Sequence, residues 1–368
     1  MEAVDVVGAG AIGVTVGYAL LAGGVPVRFV EKDAHKVAAG NRHGVRLGTE
    51  PPRPAEFLLF DRWQPRPDRW VILCTKCYDN PVVLERLNPR IPLLPIQNGL
   101  DPALEAFPHS YAGIAAFVAQ AQQEEPAARI TRRGPLYVGR RHGPEGDGPS
   151  RGNGPDHGNG IRRGDGSDRG ESAAALVTAL RRSGHLHVRW KDDIRPIQAA
   201  KLWYNAAIAP LATLAGVDNA ALLEHPALRR LFIALLRENY RILCQAGVRL
   251  GWLGPLPPPL VARVLRCRPL VALLAPFFAR SLRGTYCSMS GDLTRGRTEV
   301  DAYTGALLHL ARQAGVPAPL NTVLYELLQQ AAACRLRPHP VLVEPLLSLL
   351  SQKGGHAVPH PLRSVPNA

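Results

Sequence analysis

Lys201 sits in an apolar setting, with Ala199 and Ala200 before it and Leu202 and Trp203 after it. At helical spacing Asn205 and Ala209 share its face, as i, i+4 and i+8. A lysine so placed has two readings. It snorkels its ammonium to water, or it is desolvated near another cation, so that its pKa falls and it can exchange a proton. Only six lysines stand against 38 arginines, a mild sign that lysine chemistry is needed at 201. A second cluster runs Cys287-Ser288-Met289-Ser290-Gly291-Asp292 and, shortly after, Thr298-Glu299-Val300-Asp301. Thr298 and Asp301 have the spacing of a capping box. Glu299 would then lie in the first helical turn, where the helix dipole favours a carboxylate. The same carboxylate could instead serve a ligand at a domain cleft.

The elements that must hold such groups begin at the N-terminus. Val4 to Val7 reads as a strand, followed by Gly8-Ala9-Gly10-Ala11-Ile12-Gly13, a helix from Ile12 to Ala22, a Gly23-Gly24 stop, a strand from Val27 to Val30, and Glu31. In this context the first glycine makes the tight turn and the second admits a pyrophosphate. The third allows close helix–strand packing, and the helix N-terminus faces the phosphates. Two later strands, Val71 to Cys74 and Leu93 to Ile96, run into Thr75-Lys76 and Gln97-Asn98-Gly99. Parallel strands end on one edge, so Gly10, Glu31, Lys76 and Asn98 are expected to converge there. Taken singly, Lys76 reads as a loop lysine and Asn98 as part of an Asn-Gly turn.

The 368 residues suggest two domains. The expected division is a dinucleotide-binding domain over 1–190, a helical domain over 191–338 and a loose tail over 339–368. Residues 143–170 contain ten glycines and three prolines and read as an insertion or linker, or a locally corrupted stretch. Helical patterns cover 171–182, 194–214, 226–246, 257–266, 298–314 and 321–334, with a strand over 185–190 and a short helix open at 346–350. The net charge of +14 is spread without basic blocks or a nucleic-acid motif, so no nucleic-acid partner is expected. No apolar run is long enough for a membrane helix. An acidic N-terminus and scattered cysteines point to the cytoplasm. The Cys74-x-x-Cys77 pair lacks the context of a redox or zinc motif, and no metal site is expected.

Together, Gly8–Gly13, Thr75-Lys76-Cys77-Tyr78-Asp79, Gln97-Asn98-Gly99-Leu100, Lys201-Leu202 with Asn205, Ser288-Met289 with Asp292, and Thr298 to Asp301 resemble the ketopantoate reductase (2-dehydropantoate 2-reductase) family. The likeness continues through Ala314-Gly315-Val316-Pro317 and Asn321-Thr322. It implies an α/β Rossmann-type N-terminal domain, an all-helical C-terminal domain and a cleft between them. It also implies reduction of a 2-keto acid to a 2-hydroxy acid, ketopantoate to pantoate in pantothenate biosynthesis. By family role Lys201 would be the general acid, and Glu299 would hold the lysine and the substrate hydroxyl. Asn98, Asn205 and Ser288 would bind substrate. Gly8, Gly10, Ala11, Ile12, Gly13, Glu31, Lys76 and Asn98 would meet the cofactor. NADPH is the expected cofactor, with Lys32, Lys36 or Arg28 offsetting Glu31; Glu31 itself keeps NADH open. Three positions depart from the family pattern: Ala209 where a second asparagine is usual, Glu31 where an arginine is usual, and a stretch between Ser288 and Glu299 one residue short. They leave open a reductase for another 2-keto acid, an opine-type relative, or a non-catalytic NADP-binding or sensing protein. A homodimer is also left open.

Overall fold

In this computed structural model the described residues are 3–122, 124–141, 168–287 and 289–351. They divide into two units, one of Met1–Gln97 and Ala103–Arg195, the other of Asn98–Pro102 and Pro196–Ala368. The strands of the first unit are β1 (Ala3–Val7), β2 (Val27–Glu31), β3 (Arg46–Leu47), β4 (Glu56–Leu59), β5 (Arg69–Leu73), β6 (Leu93–Pro95), β7 (Tyr111–Ala115), β8 (Val118–Ala121), β9 (Ala127–Arg132), β10 (Leu136–Arg140) and β11 (Val188–Lys191). Its helices include α1 (Ala11–Ala22), α2 (Ala34–His43) and α3 (Asn80–Leu84); α4 (Pro102–Ala106) follows, and then α5 (Asp168–Arg182).

Five strands form a parallel sheet in the order β4-β2-β1-β5-β6. The central strands are nearly continuous apolar runs because both faces are covered: Val4, Val6 and Ile72 pack with α1 on one side, Val7, Val71 and Leu73 with Trp63 and Val83 on the other. Val7 pairs with Val30 and Leu73, and Leu73 with Pro95. The carboxyl ends of β1, β2, β5 and β6 therefore share one edge, as the alternation of strand and helix required. The exception inside β1 is Asp5, which is fully buried. Its carboxylate accepts from Arg28 (2.7 Å), Arg69 (2.7 Å) and Trp63 Nε1 (2.8 Å), so the charge is matched where it is desolvated.

Two further sheets, β11-β10-β7 and β3-β9-β8, complete the unit. Most of their strands are not legible locally. Tyr111-Ala112-Gly113-Ile114-Ala115 is small and glycine-containing, and it becomes a strand because β10 pairs with it along its whole length. Of the glycine-rich stretch, 143–167 lies outside the described residues; α5 begins at Asp168, three residues before the apolar pattern.

The second unit is helical: α6 (Arg195–Ala215), α7 (Ala221–Glu224), α8 (Pro226–Gln245), α9 (Pro258–Arg266), α10 (Arg268–Arg280), α11 (Ala306–Gln313), α12 (Pro319–Ala333) and α13 (Glu344–Ser351). Among the described residues no helix is long and apolar enough to cross a membrane. The core joins α6, α8 and α12. Trp203 Nε1 donates to the Leu236 carbonyl at 2.8 Å. The buried Glu238 carboxylate accepts from the Asn321 amide (2.8 Å) and side chain (2.9 Å) and from the Leu320 amide (3.3 Å). It thereby supplies acceptor and charge to the first turn of α12, which has no side-chain cap of its own.

Residues 339–351 differ from the expected loose tail. Pro340–Val343 form a 3₁₀ turn that leads into α13, and Leu342, Val343 and Leu346 are buried. The proline-rich composition there marks a helix start rather than disorder, because Pro is tolerated in a first turn.

Candidate cofactor and catalytic sites

The glycine loop is shaped by steric necessity. Gly8 has φ +95°, and a Cβ there would lie 3.0 Å from the backbone of Cys74 and Thr75. A Cβ on Gly13 would come within 1.9 Å of the Gly8 carbonyl, so α1 can start this close to β1 only with glycine. At Gly10 a Cβ would meet nothing within 4 Å. Gly10 is also the N-cap of α1; no side chain caps it and no acid lies in the first turn. The Ala11, Ile12 and Gly13 amides thus head a helix end with open space before it, which fits a pyrophosphate.

Glu31 ends β2 and turns back onto this loop. Its carboxylate accepts from the Ala9 amide at 3.0 Å and from the Lys32 amide at 2.8 Å. The cations expected to offset it are differently occupied. Arg28 is bound to Asp5 within the sheet, and Lys32 is paired with Asp79 at 2.7 Å. Lys36 reaches the Ala9 carbonyl at 3.5 Å, beside the loop.

At the next strand ends the sequence reading missed a buried clamp. Gln97 Nε2 donates to the Thr75 carbonyl (2.8 Å) and to Asn80 Oδ1 (2.8 Å), and Asn80 Nδ2 donates back to Gln97 Oε1 (3.0 Å). Asn80 is fully buried. The clamp ties the β5 and β6 ends together and fixes the Thr75-Lys76 turn, leaving Lys76 at the N-cap of the 3₁₀ turn Cys77–Asp79. A polar residue at the start of a short helix was the signal available. Neither Cys74 nor Cys77 is in a disulfide, and burial drives the Cys74 thiol well above its ordinary range, so it is not a reactive thiolate. Among the described residues no His, Cys, Asp and Glu cluster could hold a metal.

In the helical unit, α6 buries Ala199, Ala200, Leu202, Trp203, Ala206 and Ala207. Lys201, Tyr204, Asn205 and Ile208 remain as the partly exposed stripe. Ala209 is buried, so the stripe follows Tyr204 and Ile208 rather than the expected line through 209. Burial lowers the Lys201 ammonium to about 8. Tyr204, one turn from it and stacked on Trp203 with ring centroids 4.6 Å apart, was not singled out from sequence. Burial pushes its phenol up to about 12, so it stays protonated and can donate.

Glu299 is buried at the entrance to a π-helical turn, Asp301–Gly305, that leads into α11. The expected capping box is absent. Thr298 Oγ1 does accept from a backbone amide, that of Val300 at 3.2 Å, but the Asp301 carboxylate is held instead by Tyr325 (2.6 Å) and Gln329 (3.1 Å) of α12. Thr298 is not the N-cap, because the helical turn does not start before Val300, so the Thr298–Asp301 spacing does not span a helix start. Asn98 belongs to this unit. The Leu100 amide donates to the Ala302 carbonyl at 2.8 Å, so the Asn98–Leu100 strap lies against the turn that follows Glu299. Lys201, Asn205, Asn98 and Glu299 thus share the helical unit, whereas Gly8 to Gly13, Glu31 and Lys76 share the sheet unit. Ser288 lies outside the described residues.

Gly99, inside the strap, has φ +79°, and a Cβ there would lie 2.4 Å from the Ala302 carbonyl. Gly99→Ala is expected to cost about 2–4 kcal/mol, from the left-handed backbone and the clash together. An unchanged urea midpoint would show that the strap is not held there.

Two family models match the chain: Ketopantoate reductase PanE/ApbA over residues 4–143 and its C-terminal counterpart over 193–332. The 2-dehydropantoate 2-reductase of Pyrococcus abyssi is 24% identical over 334 residues, covering 88% of this chain and 96% of that protein. Matches to the enzymes of Aquifex aeolicus and Pyrobaculum aerophilum span only 42% and 51% of those proteins, at 24% and 27% identity. Among solved structures, D-mandelate dehydrogenase with NADH and anilino(oxo)acetate has a TM-score of 0.66 at 20% identity, covering 90% of this chain and 99% of that one. A PanE/ApbA family ketopantoate reductase from Ralstonia eutropha has a TM-score of 0.64 at 20% identity, with 90% and 99% covered. At these identities the structures speak for the fold. The sequence models, which cover both units in the order the motifs require, establish that the chain belongs to the ketopantoate reductase (PanE/ApbA) family of oxidoreductases.

Proposed function

We propose that this protein reduces a 2-keto acid to the 2-hydroxy acid with a reduced nicotinamide dinucleotide. The observation that carries the reading is Lys201: a partly buried lysine on the accessible stripe of α6, its ammonium lowered to about 8 by burial. A proton donor works best with a pKa near the operating pH. When bound, the cofactor supplies the hydride. The α1 amides and the open space at Gly10 hold its pyrophosphate, and Glu31 reads its ribose. Lys201 stabilises the negative charge developing on the keto oxygen and delivers the proton there. Asn98 and Asn205 orient the acid by hydrogen bonds, and buried Glu299 accepts from the substrate hydroxyl.

With Arg28 and Lys32 engaged elsewhere, only Lys36 stands near Glu31 as a cation for a 2′-phosphate. This favours NADH over the NADPH first expected from the family. The family points to 2-dehydropantoate as the acid; Ala209 is buried off the accessible stripe, so the amides offered to the acid are those of Asn98 and Asn205. The test is a spectrophotometric assay of the purified chain with NADH and NADPH against a panel of 2-keto acids, 2-dehydropantoate included. Turnover of at least one is expected. Saturable cofactor binding with no turnover of any member would point to a binding or sensing relative.

A further inference from the structure

The helical unit carries a cavity that the proposed chemistry does not use. Its volume is about 920 Å³, and it lies among α8, α9, α10, α12 and α13. None of Lys201, Asn205, Asn98 or Glu299 lines it. One part of its wall is apolar, formed by Ile233, Leu265, Val271, Leu320, Leu347 and Leu350. The rest carries Arg229, Arg230, Arg237, Arg241, Arg266 and Arg268.

Six guanidiniums gather around this one cavity; Arg230, Arg241, Arg266 and Arg268 are exposed, while Arg229 and Arg241 also donate to the Leu223 and Pro317 carbonyls. Among the described residues none of the six has a carboxylate partner. Glu238 is the single acid in the lining, and its oxygens are taken up by the Leu320 and Asn321 amides and the Asn321 side chain. Arg237 donates to the Leu265 carbonyl at 2.7 Å, and its guanidinium is lowered first by burial and then by the like charges of Arg268 and Arg266. The three cations therefore crowd one another. The local sequence supplies no relief, since residues 239–291 contain seven arginines and no acid.

We infer that this cavity binds an amphipathic anion, a single acidic head group on an apolar body, with the head among the arginines and the body along the leucine wall. Clefts of roughly 300–1,000 Å³ hold ligands of drug-like size, most of whose surface they bury. An acidic head restores the missing counter-charge through charge-assisted hydrogen bonds, while a leucine-rich wall has no use for a purely polar anion.

Dodecanoate titrated calorimetrically into the full chain tests this, with dodecyltrimethylammonium as a probe of opposite charge on the same chain and acetate as a probe without the chain. Saturable binding of one dodecanoate per chain is expected, with no saturable binding of the other two. Arg266 and Arg268 are exposed, so Arg266→Gln with Arg268→Gln should leave the melting temperature unchanged and weaken dodecanoate about tenfold or more. Lys201→Met should leave dodecanoate affinity unchanged, which separates this cavity from the proposed keto-acid site. Absence of saturable dodecanoate binding, equal binding of the cationic probe, undiminished affinity in the arginine variant, or loss on Lys201→Met would each overturn the inference.

Discussion

Lys201→Met is expected to lower kcat by about 10²–10⁴, the usual worth of a general acid, and to make the folded protein more stable at pH 7. Both effects follow from one cause, the desolvation that brings the Lys201 ammonium from an ordinary 10.5 to about 8. The unfolded chain keeps the ordinary value and so binds more protons than the folded chain between pH 8 and 10.5. The penalty on the fold is complete below pH 8, shrinks as pH rises through that window and vanishes above it. Methionine fills the space without a charge, so a gain of about 1–3 kcal/mol is expected at pH 7. Urea unfolding from pH 7 to 10 should show that gain disappearing as the wild type catches up. With Lys201 as the proposed proton donor, the wild-type rate should fall as pH rises past about 8. Lys201→Arg keeps the charge but not the tunable proton, and should recover substrate binding without turnover. Near-normal kcat in the methionine variant would remove Lys201 from the mechanism.

Glu31→Arg is expected to shift the NADH-to-NADPH affinity ratio toward NADPH on the order of 10²-fold. On the proposed role, the native carboxylate would repel a 2′-phosphate and accept from a ribose hydroxyl; an arginine would reverse both, and a charge-assisted hydrogen bond contributes about 1.5–3 kcal/mol. The carboxylate also holds the Ala9 amide at 3.0 Å, so the arginine variant risks loosening the glycine loop. Glu31→Gln separates the two roles. It retains an acceptor for Ala9 and loses only the charge, so NADPH should tighten while NADH changes little. Dissociation constants from nicotinamide fluorescence, measured without substrate, read this independently of turnover. An unchanged ratio in both variants would mean that Lys36, not Glu31, sets the choice.

The parts of this molecule legible from sequence are those whose physics is local. Gly8, Gly10 and Gly13 announce a close helix–strand turn because no other residue tolerates the φ of +95° at Gly8 or the 1.9 Å approach at Gly13. The helices α6, α8 and α12 announce themselves because their apolar residues recur at helical spacing over three turns or more. Lys201 stands out because a lysine is costly among alanines and leucines. What the tertiary structure decided is partnership. Whether Arg28 serves the cofactor or Asp5 depends on pairing across β1 and β2, and the fully buried Asp5 binds it. Whether Asp301 caps its own helix or is held by Tyr325 depends on a π-turn packed on α12, which no spacing rule contains. The strap of Asn98 lies in a different unit from Gln97, its neighbour in sequence, because the Ala302 carbonyl offers it a hydrogen bond that the sheet edge does not. Chain spacing encodes periodicity and backbone freedom. Which of several plausible partners a charged or amide side chain takes is settled by burial, and burial exists only once distant segments have packed.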